Sequence, residues 1–244
     1  MNAAAALRPD ALTPDTRRIE LLTGGTAALL LVAASWRGWL PYSLTETLGF
    51  VTGAACVYLV IRRSVWNFPV GIANNVFFIV LFAEARLYGD AGLQLVYVAL
   101  GFQGWYLWLR GGRAGAPLRV ARAPRRTLLL AAAFVFAGTL ALVFALRLAR
   151  GAAPVLDALT TALSLAAQYL LNRKFVENWY AWIIADVLYV YLYATRALHL
   201  TAALYAVFLC LCVAGLISWR RELARAGATA GDDAGALGGS VGSK

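Results

Sequence analysis

Apolar residues in this chain run in long unbroken stretches separated by short charged segments, without the period-two alternation of a half-buried strand. Eight such stretches stand out: Leu21–Leu40, Leu44–Ile61, Phe68–Ala85, Ala91–Leu109, Thr127–Leu148, Val155–Leu171, Trp179–Ala194 and Leu198–Trp219. A bilayer core of about 30 Å needs about 20 apolar residues per crossing helix, and an open sheet in lipid would leave backbone groups unpaired. The pattern therefore predicts an all-α polytopic membrane protein with eight transmembrane helices. The first stretch follows a leader carrying both acidic and basic residues and is long enough to span, unlike a cleavable signal.

Sliding the chain against itself changes the picture most. An offset of 111 residues, without a gap, pairs Trp108 with Trp219, Gly104 with Gly215, Asn67 with Asn178 and Arg63 with Lys174. It also pairs Tyr58 with Tyr169, Glu46 with Asp157, Ile72 with Ile183, Val76 with Val187, Leu81 with Leu192 and Asn75 with Asp186. Apolar periodicity alone would not match Asn, Trp, basic and acidic positions together. Spans two to four thus recur as spans six to eight. Three helices reverse the direction of the chain, so the single helix between the copies returns it to the starting side. The expected architecture is an accessory helix plus 3+1+3 parallel repeats, related by an axis along the membrane normal, with substrate at the repeat interface near the midplane. The corresponding segments are a leader and accessory helix (1–43), repeat one (44–109), a basic loop and linker helix (110–154), repeat two (155–220) and a disordered tail (221–244).

Composition agrees with a membrane location. The 244 residues are 61% hydrophobic and only 14% charged, with mean hydropathy +0.69, against ~45–50% apolar and ~25% charged in soluble domains. The net charge of +10 is distributed by side rather than by face. Arg8, Arg17, Arg18, Arg62, Arg63, Arg110, Arg113, Arg119, Arg122, Arg125, Arg126, Arg173, Lys174, Arg220, Arg221, Arg225 and Lys244 fall on one side, 17 in all. Only Arg37, Arg86, Arg147, Arg150 and Arg196 fall on the other, so basic loops are expected inside and both termini in the cytoplasm. A nucleic-acid footprint would need a solvated basic face with stacking aromatics instead. Cys56, Cys210 and Cys212 lie within spans at no metal or disulfide spacing and read as small apolar residues facing lipid or helix.

Candidate chemistry gathers on one stripe. In span seven Asn178, Trp182, Asp186, Tyr189 and Tyr193 recur every three or four residues and share a helical face. Span three carries Asn67, Gly71, Asn74, Asn75 and Phe78 on the matching face. Asp186 is about eight residues inside its helix, or about 12 Å at 1.5 Å per residue. An ionisable group at such depth normally faces a polar cavity; the alternative is interhelical hydrogen bonding between packed helices. Aromatic faces beside amides and a carboxylate suit a planar, polar ligand, and Trp favours a cationic ring. Gln94, Tyr97, Gln168 and Tyr205 are within reach of the same space. Trp66, Trp105 and Trp108 read as interfacial anchors, His199 as a solvated loop residue, and Pro69 as a tolerated first-turn proline.

Rival classes lack their parts. No His-Glu-x-x-His, P-loop or metal-ligand cluster is present, and Asp186 alone makes no acid–base pair. No catalytic residue, metal or cofactor is expected, and ATP-driven pumping within this chain is not. A retinal receptor would need a lysine amine buried in mid-membrane, yet the only lysines are Lys174 and Lys244. An ion channel would favour acidic rings or carbonyl filters.

The segments NFPVGIANN (67–75), LYGDAGLQLVY (87–97), GWYLW (104–108) and RKFVENWYAWIIAD (173–186) resemble the Pnu family of vitamin transporters, whose best-known members carry nicotinamide riboside. The resemblance covers about Thr45 to Arg221. It implies a seven-helix core related to the SWEET sugar transporters, a homotrimer in the bacterial inner membrane, and facilitated diffusion of unphosphorylated nicotinamide riboside trapped by a separate intracellular kinase. The matching substrate positions are Asn74, Gln94, Asn178, Trp179, Trp182, Asp186 and Tyr205; some relatives have Asn where this chain has Asp186. Family members that carry thiamine or riboflavin keep those vitamins open as alternatives, and a membrane-embedded enzyme is the rival of a different class.

Overall fold

The computed structural model describes residues 14–41, 43–84, 88–148, 154–195 and 199–239. They form eight long helices: α1 (Pro14–Trp36), α2 (Leu44–Ile61), α3 (Asn67–Glu84), α4 (Tyr88–Arg110), α5 (Arg125–Leu148), α6 (Pro154–Asn172), α7 (Asn178–Thr195) and α8 (His199–Gly239). Each expected span is found, with ends within a few residues except in α1 and α8. The helix of α8 continues to Gly239, into the stretch 221–244 where the sequence predicts a disordered tail. Alanine at alternate positions there supports helix. The chain divides into two compact units, one up to Thr52 and one from Gly53.

In the first unit, α2 begins with a reciprocal cap. Ser43 Oγ accepts from the Glu46 amide at 3.1 Å, while Glu46 Oε2 accepts from the Ser43 amide at 2.8 Å. Two otherwise orphaned donors are satisfied by the Ser-x-x-Glu spacing alone.

Among the described residues four segments are crossing candidates on length and apolarity alone: Leu44–Ile61, Asn67–Glu84, Arg125–Leu148 and Ala202–Ala228. Helix α6 falls short because it carries Thr160, Ser164, Gln168 and Asn172, of which Thr160, Ser164 and Asn172 are buried within the protein. Two of these hydroxyls bond back along the helix: Thr160 Oγ1 donates to the Leu156 carbonyl and Ser164 Oγ to the Thr160 carbonyl, at 2.9 and 2.7 Å. Its polarity therefore faces protein rather than lipid. The linker α5 is the opposite case, with mean hydropathy 2.5 over its span and no buried residue. It packs on α6, where Gly138 faces the Ala162 methyl at close range, the small-residue contact that lets membrane helices approach.

The second unit repeats itself in detail at the offset of 111. Trp108 Nε1 donates to the Leu171 carbonyl and Trp219 Nε1 to the Val60 carbonyl, both at 3.1 Å, so each half bonds the other through the same pair of positions. Phe68 meets Trp108 edge-on at 5.1 Å, and Trp179 meets Trp219 edge-on at 5.5 Å. Asn67 and Asn178, each the first residue of its helix, donate their side-chain amides to the carbonyls of Ser64 and Phe175 in the preceding turn. Arg63 and Lys174 both take the left-handed backbone, at φ 56° and 57°. Gly104 and Gly215 let the rings through: a Cβ on either would collide with Phe68 or Trp179. Trp108 is thus 2% exposed and belongs to this core rather than to an interfacial belt; hydropathy cannot distinguish the two because both end a helix.

The basic segment between α4 and α5 is docked rather than loose. A parallel bridge pairs Ala121 with Phe175, Leu118 N–H donates to the Trp108 carbonyl at 3.1 Å, and Ala123 N–H to Glu177 Oε2 at 2.8 Å. Lys174 reaches back, donating Nζ to the Leu118 carbonyl at 2.9 Å with its ammonium 4.2 Å from the Trp108 ring centroid. Burial, together with the nearby Arg63 guanidinium, lowers the Lys174 pKa to about 8, against the opposing pull of Glu222. Arg63, its counterpart, reaches Ser218 and pairs with Glu222 at 3.7 Å.

Candidate substrate-binding site

Between the two halves of the second unit lies a cavity of about 380 Å³, within the usual range for small-molecule sites. Helices α3 and α7 contribute matching positions to its wall. Asn67, Phe68, Gly71 and Asn75 come from α3, and Trp179, Trp182, Asp186 and Tyr189 from α7. Helix α6 adds Ser164 and Gln168, α4 adds Tyr97 and Gly101, and α8 adds Tyr205, Phe208 and Cys212.

Both members of several pairs matched at the offset of 111 line this space: Phe68 and Trp179, Gly71 and Trp182, Asn75 and Asp186, Tyr97 and Phe208, Gly101 and Cys212. The halves agree in backbone and differ in side chain. Where one half has the indole of Trp182, the other has Gly71. The cavity wall is therefore asymmetric in its side chains although the sequence positions repeat.

Two wall atoms are buried without a hydrogen-bond partner in the protein: Trp179 Nε1 and Asp186 Oδ2. Buried polar atoms normally find partners, and the exceptions concentrate at functional sites. One is a donor and the other an acceptor. Among the described lining residues, Asp186 is the only one that carries a formal charge. Tyr193 and Tyr205 stack at 5.2 Å, and Tyr205 lies 4.6 Å from Tyr189, giving an aromatic wall on the side away from the Trp108–Trp219 pair. That pair is tilted, with centroids 6.1 Å apart, and together with Phe68, Val60 and Leu171 it forms the apolar core at the arginine-rich end of the cavity.

Of the seven positions named from the resemblance, the cavity brings together Trp179, Trp182, Asp186 and Tyr205. Asn178 is fully buried at the start of α7, its amide donating to the Phe175 carbonyl. Asn74 and Gln94 are half-buried and stand outside the lining set, while Asn75, the neighbour of Asn74, is in it. Gln168, Tyr97 and Tyr189 are in the wall, as helical spacing and reach allowed. Ser164, Cys56, Cys212 and Phe208 were not legible as wall residues; Cys56 and Cys212 face the cavity rather than lipid or a neighbouring helix alone. The repeat offset holds the missing signal, since Ser164 matches Gly53 and Phe208 matches Tyr97, and all four line the space. Among the described residues no group of three His, Cys, Asp or Glu is placed to hold a metal ion.

A profile of the nicotinamide mononucleotide transporter family matches residues 43–221. The chain belongs to this family. It is 26% identical over 208 residues to the nicotinamide riboside transporter PnuC of Escherichia coli, covering 75% of this chain and 87% of that one. It is 30% identical over 181 residues to the riboflavin/roseoflavin transporter RibM of Streptomyces davaonensis, covering 72% and 84%. A crystal structure of the vitamin B3 transporter PnuC matches with a TM-score of 0.61 at 25% identity, over 83% of this chain and 92% of that one. The family and the apolar helices together make this a multi-pass inner-membrane transporter rather than an enzyme.

Proposed function

We propose that this transporter carries nicotinamide riboside by facilitated diffusion, through the cavity between two parallel three-helix repeats joined by α5. The observation that carries the reading is the cavity's charge: among the described lining residues there is one carboxylate and no Arg, Lys or His, and the indoles of Trp179 and Trp182 share the wall with it. The pyridinium ring of nicotinamide riboside is flat and cationic, matching Trp182 by stacking and cation–π attraction and Asp186 by charge. Its ribose hydroxyls and carboxamide suit Asn75, Gln168 and the free Asp186 Oδ2.

The same chemistry argues against a phosphorylated cargo. A phosphate is held by Arg forks, Lys or helix N-termini, and beside Asp186 it would meet repulsion. Riboflavin is the second reading, favoured by the 30% identity to RibM, but its ring is neutral and gives Asp186 no charge to meet. Calorimetry on the purified protein decides. Nicotinamide riboside is expected to bind at least tenfold more tightly than riboflavin or thiamine and at least a hundredfold more tightly than the mononucleotide. Equal or tighter binding of the mononucleotide or of riboflavin would overturn the assignment.

The uneven distribution of basic residues supports an orientation with both termini and the Arg110–Arg126 segment in the cytoplasm. An engineered cysteine in that segment is then expected to resist impermeant maleimide in intact cells, and labelling from outside would reverse the orientation. A homotrimer and a separate trapping kinase complete the proposal; native mass in detergent reads the first directly.

A further inference from the structure

Gln168 is the one amide in the cavity wall that hangs on a second, fully buried amide. Gln168 Nε2 donates to Asn172 Oδ1 at 3.0 Å. Asn172 Nδ2 in turn donates to the Leu100 carbonyl at 2.8 Å and to Gln103 Oε1 at 3.3 Å. Asn172 is 0% exposed, and Gly104 leaves the space it occupies, since a Cβ there would collide with its Oδ1. A backbone carbonyl can only accept, so Leu100 forces Asn172 Nδ2 towards α4 and Asn172 Oδ1 towards Gln168. Asn172 Oδ1 then accepts, so Gln168 must turn its nitrogen to it. The flip state of the wall amide is therefore set from outside the cavity, by a main-chain atom two residues removed in the hydrogen-bond chain.

We infer that Asn172 is a positioning residue that locks the Gln168 amide with its Oε1 and one N–H presented to the ligand, so that the cavity selects a primary carboxamide over a carboxylate. This rests on the nicotinamide riboside reading and says which part of that molecule the α6 side recognises. A carboxamide offers a donor and an acceptor, complementary to the fixed edge of Gln168. A carboxylate offers acceptors only, and meets Oε1 with repulsion. Were Gln168 free to rotate, it would turn its N–H groups to either ligand, and the discrimination would shrink.

The test compares affinities for nicotinamide riboside and nicotinic acid riboside in wild type, Asn172→Leu, Gln168→Ala and the double variant, with melting temperature on each preparation. Wild type is expected to prefer the carboxamide at least tenfold. Asn172→Leu, which cannot accept from Gln168, is expected to narrow that ratio at least threefold, and to change it no further in the Gln168→Ala background. Asn172→Ser releases Gln168 with a smaller change in packing and serves where the leucine variant does not fold. A ratio unchanged in both Asn172 variants, with only the melting temperature lowered, overturns this inference while leaving the substrate reading in place. So does an Asn172 effect on the ratio that persists without Gln168. Wild-type protein that binds neither riboside overturns the substrate reading and this inference with it.

Discussion

Asp186→Ala is expected to weaken nicotinamide riboside binding by roughly ten- to a hundredfold. The carboxylate is buried on the cavity wall, Oδ2 has no partner within the protein, and no other charged side chain lines the space among the described residues. Hydrogen bonds to charged groups contribute ~1.5–3 kcal/mol, and about 1.4 kcal/mol is a factor of ten. Asp186→Asn separates the two possible contributions. If the carboxylate meets the ring's positive charge, the amide variant is nearly as weak as alanine. If it only accepts from a hydroxyl, the amide keeps much of the affinity. Isothermal calorimetry on the three proteins gives the comparison, and wild-type affinity in both variants would remove Asp186 from the site.

Trp182→Ala is expected to weaken binding by roughly five- to a hundredfold. A desolvated cation–π contact is worth up to ~2 kcal/mol and an aromatic stack ~0.5–1.5 kcal/mol beyond area burial. The repeated half has only Gly71 at the matching place, so no second ring at that position can substitute. The alternative, that Trp182 and Asp186 merely join helices, makes a different forecast. Melting temperature would fall in either variant while the protein that still folds bound normally. Trp219→Phe is the useful comparison, since Trp219 Nε1 bonds the Val60 carbonyl in the core and Trp219 is not among the lining residues; its loss should lower melting temperature with little change in affinity.

Much of this was legible in the sequence because lipid imposes a simple code. Apolar runs gave the eight helices nearly to the residue in α2 and α5, and the 111-residue offset foretold pairs such as Trp108 with Trp219 that the structure places in equivalent bonds. The stripe on α7 was readable because one helix carries it: Trp182, Asp186 and Tyr189 point to the same space for reasons of period alone. What periodicity could not supply was contact between helices. Asn178 shares the stripe's face, but it stands at the first turn, where its amide serves the Phe175 carbonyl. Cys56, Ser164 and Phe208 depend on how α2, α6 and α8 rotate against the stripe, which their own sequences do not state. The docking of Ala121 on Phe175 was equally hidden, since an arginine-rich connector looks the same in sequence whether it is loose or clipped.

The central claim, passive passage of nicotinamide riboside through this cavity, is tested most directly by counterflow. Proteoliposomes holding the purified protein are loaded with unlabelled nicotinamide riboside and diluted into labelled compound, without ATP or an ion gradient. The label is expected to enter, overshoot and decay as the pools equilibrate, and to do so far more slowly with Asp186→Ala. Entry no faster than in protein-free liposomes, or accumulation that appears only when a proton or sodium gradient is imposed, would contradict the account.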